Sequence, residues 1–176
     1  MRRKNNVSYD TITRWNEARM PTEIEDELLS IYVRFTEEGE FRWADISRFY
    51  TELQISKSWY GLLEFKDLCL DGIDVIDFEK LLDITYRLLI FMDNESIIDK
   101  QWELLLKYTG RLQQFPKVAL RKHVISVKDV QKAAVQVDMD QHIILSMVSW
   151  ATNGERVFVT YLDFAKLLGK MGLLRY

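Results

Sequence analysis

Cysteine is almost missing from this chain of 176 residues: the single thiol, Cys69, excludes an internal disulfide framework and fits a reducing compartment, cytosol or nucleus. Two prolines and seven glycines are too few for the many turns of an all-β sandwich or barrel. Long apolar runs are missing too. LLIFM (88–92) is about the longest and falls well short of the roughly 18 residues that cross a bilayer. The N-terminal MRRKNN is basic, but NVSYDTITRW follows it rather than the apolar stretch of a secretion signal. A net charge of −3 offers no chain-wide basic field for gripping phosphates, so direct nucleic-acid binding is not the first expectation.

What the chain does contain is ordinary for a folded domain. Apolar residues make up 48% and charged residues 29%. With turns scarce and apolar residues spaced by threes and fours, the expected class is all-α. Residues 1–20 mix Arg, Lys and Asn with scattered aromatics and no clear period, and read as a flexible N-terminal arm. Regular structure is expected from PTEIEDELLSIY onward, with Thr22 and Glu25 as a capping box.

Internal repetition organises the rest. Four segments share an apolar pattern with steps of three, four and three, the spacing of one helix face. They are Trp43, Ile46, Tyr50, Leu53; Phe78, Leu81, Thr85, Leu88; Val127, Val130, Ala134, Val137; and Tyr161, Phe164, Leu168, Met171. Thr85 is the polar departure. Each segment is preceded two positions earlier by an apolar residue: Phe41, Ile76, Ile125 or Val159. Other amphipathic stretches lie upstream, at 23–35, about 56–65, 96–108 and 138–150, the last two opened by Ser96 with Asp99 and Asp138 with Gln141.

The unit is therefore helix, short loop with one extended apolar residue, helix, repeated four times in two pairs. The expected division is a lobe at 21–92 and a lobe at 93–176. Successive offsets of 35, 49 and 34 residues break the even tiling of a tetratricopeptide array, and such repeats lack the isolated β-branched residue.

A helix–loop–helix of this kind suggests a calcium site, and its ligand positions can be tested. With the extended apolar residue at loop position 8, position 1 holds Arg34, Cys69, Val118 and Thr152. Position 5 holds Glu38, Ile73, Lys122 and Arg156, and position 12 holds Asp45, Lys80, Asp129 and Asp163. A calcium hand needs oxygen ligands at 1, 3 and 5, glycine at 6 and a bidentate Glu at 12. Arg34, Lys122 and Arg156 would instead place positive charge inside the cage. No metal and no cofactor is expected. Ser126 with Asp129 and Thr160 with Asp163 are better read as capping boxes, each contributing about 1 kcal/mol.

IDFEKLL (76–82), VISVKDV (124–130) and VTYLDFAKLL (159–168) resemble the loop-to-helix junctions of the calmodulin and centrin family of EF-hand proteins. The whole chain resembles, more closely, the small fungal centrin-like subunits of the nucleotide excision repair damage-recognition complex. NVSYD (6–10), GIDVIDFEKL (72–81), FPKVALRKHVISVKDVQK (115–132) and RVFVTYLDFAKLLGKMGLL (156–174) carry that resemblance. It implies four degenerate EF-hand-like units in two lobes and a non-catalytic DNA repair subunit in the nucleus, with the cytoplasm as a second compartment. It also implies an amphipathic helix of a xeroderma pigmentosum group C type factor as the calcium-independent partner, with nucleic acid met only through the complex. No membrane contact is expected, and the free chain is expected to be monomeric.

Lobes of that kind bind by exposing an apolar groove to a helix with anchors at i, i+3/i+4 and i+7. The C-terminal lobe is the better patterned one, and the family's target-binding lobe is likewise C-terminal. The residues expected to bind the partner helix are Ile98, Trp102, Leu105, Val130, Ala134, Ile144, Met147, Val148, Phe164, Leu168 and Met171. For any one of them ordinary core is the commoner role, and Ala134, being small, and Met147, being adaptable, are the better groove candidates. A calcium-independent light chain of a motor or spindle-pole scaffold would need the same groove and is the alternative client. Enzymatic chemistry finds no support: no nucleophile elbow, phosphate loop or HExxH is present, and His123 and His142 read as surface residues. The basic runs MRRK and LRKH read as solvated faces.

Overall fold

Steps of three and four become helices over most of their length in the computed structural model, which describes residues 9–37, 39–136 and 141–176, the side chains of 136 and 141–143 aside. The helices are α1 (Tyr9–Glu17), α2 (Thr22–Glu37), α3 (Ile46–Glu52), α4 (Lys57–Tyr60), α5 (Phe65–Leu68), α6 (Phe78–Asp93), α7 (Glu95–Tyr108), α8 (Arg111–Gln114), α9 (Val127–Gln136), α10 (Gln141–Thr152) and α11 (Tyr161–Lys170). Single turns of 3₁₀-helix lie at Trp43–Asp45 and Leu120–Lys122. The strands are β1 (Ile125–Ser126) and β2 (Phe158–Val159). The all-α class holds.

The chain divides into two units, one of residues 17–92 and one of residues 1–16 with 93–176. In the first, the core is aromatic: Phe35, Phe41 and Phe49 lie with ring centroids 5.0 to 5.6 Å apart. Phe49 meets Tyr50 edge-on at 5.6 Å, and Tyr50 stacks on Tyr60 at the same distance. The two loops of this unit meet through the Ile76 amide, which donates to the Phe41 carbonyl at 2.9 Å. Ile76 also forms an antiparallel bridge to Cys69.

The expected amphipathic stretch at 56–65 is not one helix. Ser56 caps α4 by accepting from the Ser58 amide, and turns at Leu62 and Leu63 then interrupt the chain. Asp67 accepts from the Glu64 amide at 2.7 Å and starts α5 afresh. The break brings Trp59, Leu63 and Leu68 inside together. Thr22 is also placed differently: it is the first helical residue, and the Pro21 carbonyl before it accepts from Ile24 and Glu25, each at 3.0 Å.

In the second unit β1 and β2 pair antiparallel, Ile125 opposite Val159 and Ser126 opposite Phe158. The two capping boxes after them are present. Asp129 Oδ2 accepts from the Ser126 amide and hydroxyl at 2.9 and 2.7 Å, and Asp163 Oδ2 accepts from those of Thr160 at 3.0 and 2.8 Å. Ser96 and Asp99 do not cap α7, which begins one residue earlier; Asp99 turns inward instead. Asp138 lies outside the described residues, and with it the cap expected there.

Part of the expected flexible arm is ordered. Trp15 on α1 is 3% exposed and lies against α11, where a Cβ on Gly169 would come within 2.4 Å of its ring. Glycine thus lets the indole reach the helix backbone. Tyr176 meets Trp15 edge-on at 5.3 Å. The Asn94 amide holds the C-terminal segment by donating to the Arg175 carbonyl at 2.8 Å and accepting from its N–H at 3.0 Å.

Candidate functional site

The site begins with the two faces of α7. Ile98, Trp102 and Leu106, four residues apart, are fully buried. Gln101, Leu104, Leu105 and Tyr108 occupy the neighbouring stripe and line an apolar cavity of about 400 Å³. Val130 of α9, Met147, Val148 and Ala151 of α10, and Phe164, Leu167, Leu168 and Met171 of α11 complete the walls, with Ile125, Val159 and Leu173. Leu104, Tyr108, Met147 and Leu173 are between 38% and 54% exposed, so the groove opens to solvent. Exposed apolar surface gathered in one concavity marks a binding surface.

Of the residues expected to bind a helix, Leu105, Val130, Met147, Val148, Phe164, Leu168 and Met171 line this groove. Ile98, Trp102, Ala134 and Ile144 do not. They are 0 to 3% exposed and belong to the core of the unit. Trp102 stands behind the wall, its ring 5.2 Å from Phe164, while its indole N–H donates to the Leu120 carbonyl at 2.9 Å. Helix rotation decides the split: a residue four positions from Ile98 faces the core, and one three positions from Leu105 faces the groove. The lining residues not anticipated were Gln101, Leu104, Tyr108, Ala151, Leu167 and Leu173, besides the paired Ile125 and Val159. The spacing of 101, 104, 105 and 108 was the available signal.

Behind the groove, a polar cluster fixes α7 to α11. Tyr161 donates its hydroxyl to Asp99 Oδ1 at 2.5 Å, and Arg121 donates to Asp99 Oδ1 and Oδ2 at 3.0 and 2.7 Å and also to Glu95. Burial works to raise the Asp99 pKa, but the Arg121 and Tyr161 hydrogen bonds outweigh it and hold the carboxyl below its ordinary value. Burial, joined by the Asp99 charge, pushes Tyr161 up, so the phenol stays a donor.

This cluster corrects the reading of LRKH as a solvated face. Arg121 is 14% exposed at its side chain and ion-paired. His123 is buried, its Nε2 donating to the Val118 carbonyl at 3.1 Å. The extra residues of the third loop fold back onto the lobe rather than projecting from it. The side chain of His142 lies outside the described residues.

Cations stand in the loops whose spacing suggests a calcium site. In the second loop, the Lys80 ammonium at position 12 donates to the Cys69 carbonyl at 2.8 Å and to Asp71 at 3.3 Å. In the third, Arg111 reaches in from α8, donating to the Val124 carbonyl at 2.9 Å with its Nε 3.6 Å from Asp129. In the fourth, the Arg156 guanidinium lies 3.4 Å from Asp163. Cationic side chains therefore occupy the ground a divalent ion would need, and the residues present do not fit calcium.

The comparisons with known proteins point one way. Residues 64–142, from the start of α5 to the first turn of α10, match the family described as Rad33. Over 176 residues, 99% of each chain, the sequence is 40% identical to the DNA repair protein RAD33 of Saccharomyces cerevisiae. No solved structure matches.

Proposed function

Because the chain belongs to the Rad33 family, we propose that it serves DNA repair as a non-catalytic, centrin-like accessory subunit that receives a partner's amphipathic helix in its C-terminal groove. Identity of 40% across the full length to a DNA repair protein supports the repair role. The observation that carries the binding mode is the open groove between α7, α10 and α11. Apart from Gln101 and the Tyr108 hydroxyl its lining is apolar, which suits helix anchors better than chemistry.

The paired helix–loop–helix units, with Ile125 bridged to Val159 and Ile76 bonded to Phe41, support the EF-hand-like reading. Calcium independence follows from the side-chain cations of the loops. In calcium sensors the ion opens the groove. Here Lys80, Arg111 and Arg156 balance the loop oxygens permanently, so binding is constitutive.

The partner in this reading is a damage-recognition factor of the xeroderma pigmentosum group C type, met in the nucleus by a monomeric chain. Affinity purification from nuclear extract should recover that factor equally with calcium and with chelator. Consistent recovery of a motor or spindle-pole protein instead would move the chain to the light-chain reading. Met147→Glu, which puts a charge in the groove at a 41% exposed position, should abolish capture while leaving the fold intact.

A further inference from the structure

The overall charge of −3 conceals a division. Residues 17–92 carry seventeen Asp and Glu against eight Lys and Arg, whereas the groove-bearing unit carries ten against sixteen. The first is acidic by nine charges and the second basic by six. At one end of the groove this charge has a definite place. Leu104 and Tyr108 line both the groove and an adjoining polar notch of about 450 Å³, whose other walls include Lys107, Gln113 and Lys132. Both lysines are exposed, and among the described residues neither has a carboxylate in ion-pair reach.

We propose that the helix bound in the groove is acidic, and that an Asp or Glu at its end over Leu104 and Tyr108 is received by Lys107 and Lys132. This rests on the groove reading and names the chemistry of its occupant. Two ammonium groups and the Gln113 amide offer donors to a carboxylate where the apolar walls stop. A helix with a basic polar face would bring like charges against a lobe already positive, which lowers affinity and slows encounter. The apolar walls shared by groove and notch favour a peptide over a nucleic-acid backbone.

The test uses the full chain and synthetic leucine-anchored amphipathic peptides of about 18 residues, five helical turns, ending at both termini in either two Glu or two Lys. The Glu-ended peptide should bind about tenfold tighter at low salt, and Lys107→Glu with Lys132→Glu should reverse the order. Equal affinities, or a preference surviving the charge reversal, would overturn the notch. So would displacement of the peptide by a short DNA duplex, or self-association of the chain through the groove. Met147→Glu separates the two claims. If it leaves Glu-peptide binding unchanged, or if neither peptide binds the native chain, the groove reading falls and the notch with it.

Discussion

The two lobes solve the same repeat in opposite ways, and two positions show how. Tyr50 and Thr85 in the N-terminal lobe stand where the repeat places Ala134 and Leu168 in the C-terminal one. The Tyr50 hydroxyl lies 3.2 Å from Thr85 Oγ1, linking α3 to α6 across a core that Phe35, Phe41 and Phe49 fill. Burial pushes the Tyr50 pKa up, so the hydroxyl keeps its proton and the bond persists at any ordinary pH. Thr85, the polar departure in the pattern, is thereby explained. In the C-terminal lobe Leu168 lines the open groove, while Ala134 lies in the core. A buried polar pair ties two helices of one lobe together, and the same position of the repeat presents a leucine to the open groove of the other.

Breaking each side of this comparison should have graded consequences. The largest is expected at Gly169→Ala, whose new methyl would strike the Trp15 ring and drive α1 off α11, at a cost of about 3 kcal/mol. Urea unfolding followed by circular dichroism measures it; a change under about 0.5 kcal/mol would mean that Trp15 does not depend on that close approach. Next comes the polar pair of the N-terminal lobe. Tyr50→Leu with Thr85→Ala replaces the polar pair by an apolar one and should cost about 2 kcal/mol. The variant should gain binding of an apolar fluorescent dye; unaltered dye binding would show that the pair does not hold this lobe shut.

The loops give a smaller effect. Arg156→Ala removes the charge beside Asp163, where the two side chains are 13% and 7% exposed, and should cost about 1–2 kcal/mol. Calorimetric titration with calcium should be silent for the native chain and for this variant, because Thr152 still stands where a carboxylate is needed and Val157 where glycine is.

Acid offers a further test of the C-terminal lobe. Asp99 has a folded pKa below its unfolded value, so its contribution is present above the ordinary carboxylate range near 3.9 and is lost as pH falls through the lower folded value. Asp99→Asn should therefore narrow the stability difference between pH 7 and pH 3 in urea unfolding. An unchanged difference would remove Asp99 from the acid response. The smallest effect on stability belongs to Met147→Glu, within about 0.5 kcal/mol at this exposed position, despite its expected loss of partner binding.

Much of this fold was legible before any coordinates. Local rules act within a few residues, so the helical periods and the capping boxes at Ser126 and Thr160 could be read directly. Seven of the eleven residues chosen for the groove line it, because a helix face follows from spacing. The other four show the limit of that rule. Ile98 and Trp102 share an apolar stripe with Leu105, and spacing does not say which edge of a broad stripe meets the core. Arg121 and His123 looked like a solvated basic run, but their partners Asp99 and Val118 are chosen by the folding back of the third loop.

The sequence by itself determined an all-α chain, its helix faces and its capping boxes. Those properties depend on residue type and on separations of a few positions, which the chain carries directly. Tertiary structure decided the rest: that Trp15 docks against Gly169, that Tyr50 finds Thr85, and that Arg111 comes from outside its loop to balance Asp129. Each of these joins residues distant in the chain, and only packing, which acts through space, can select such partners.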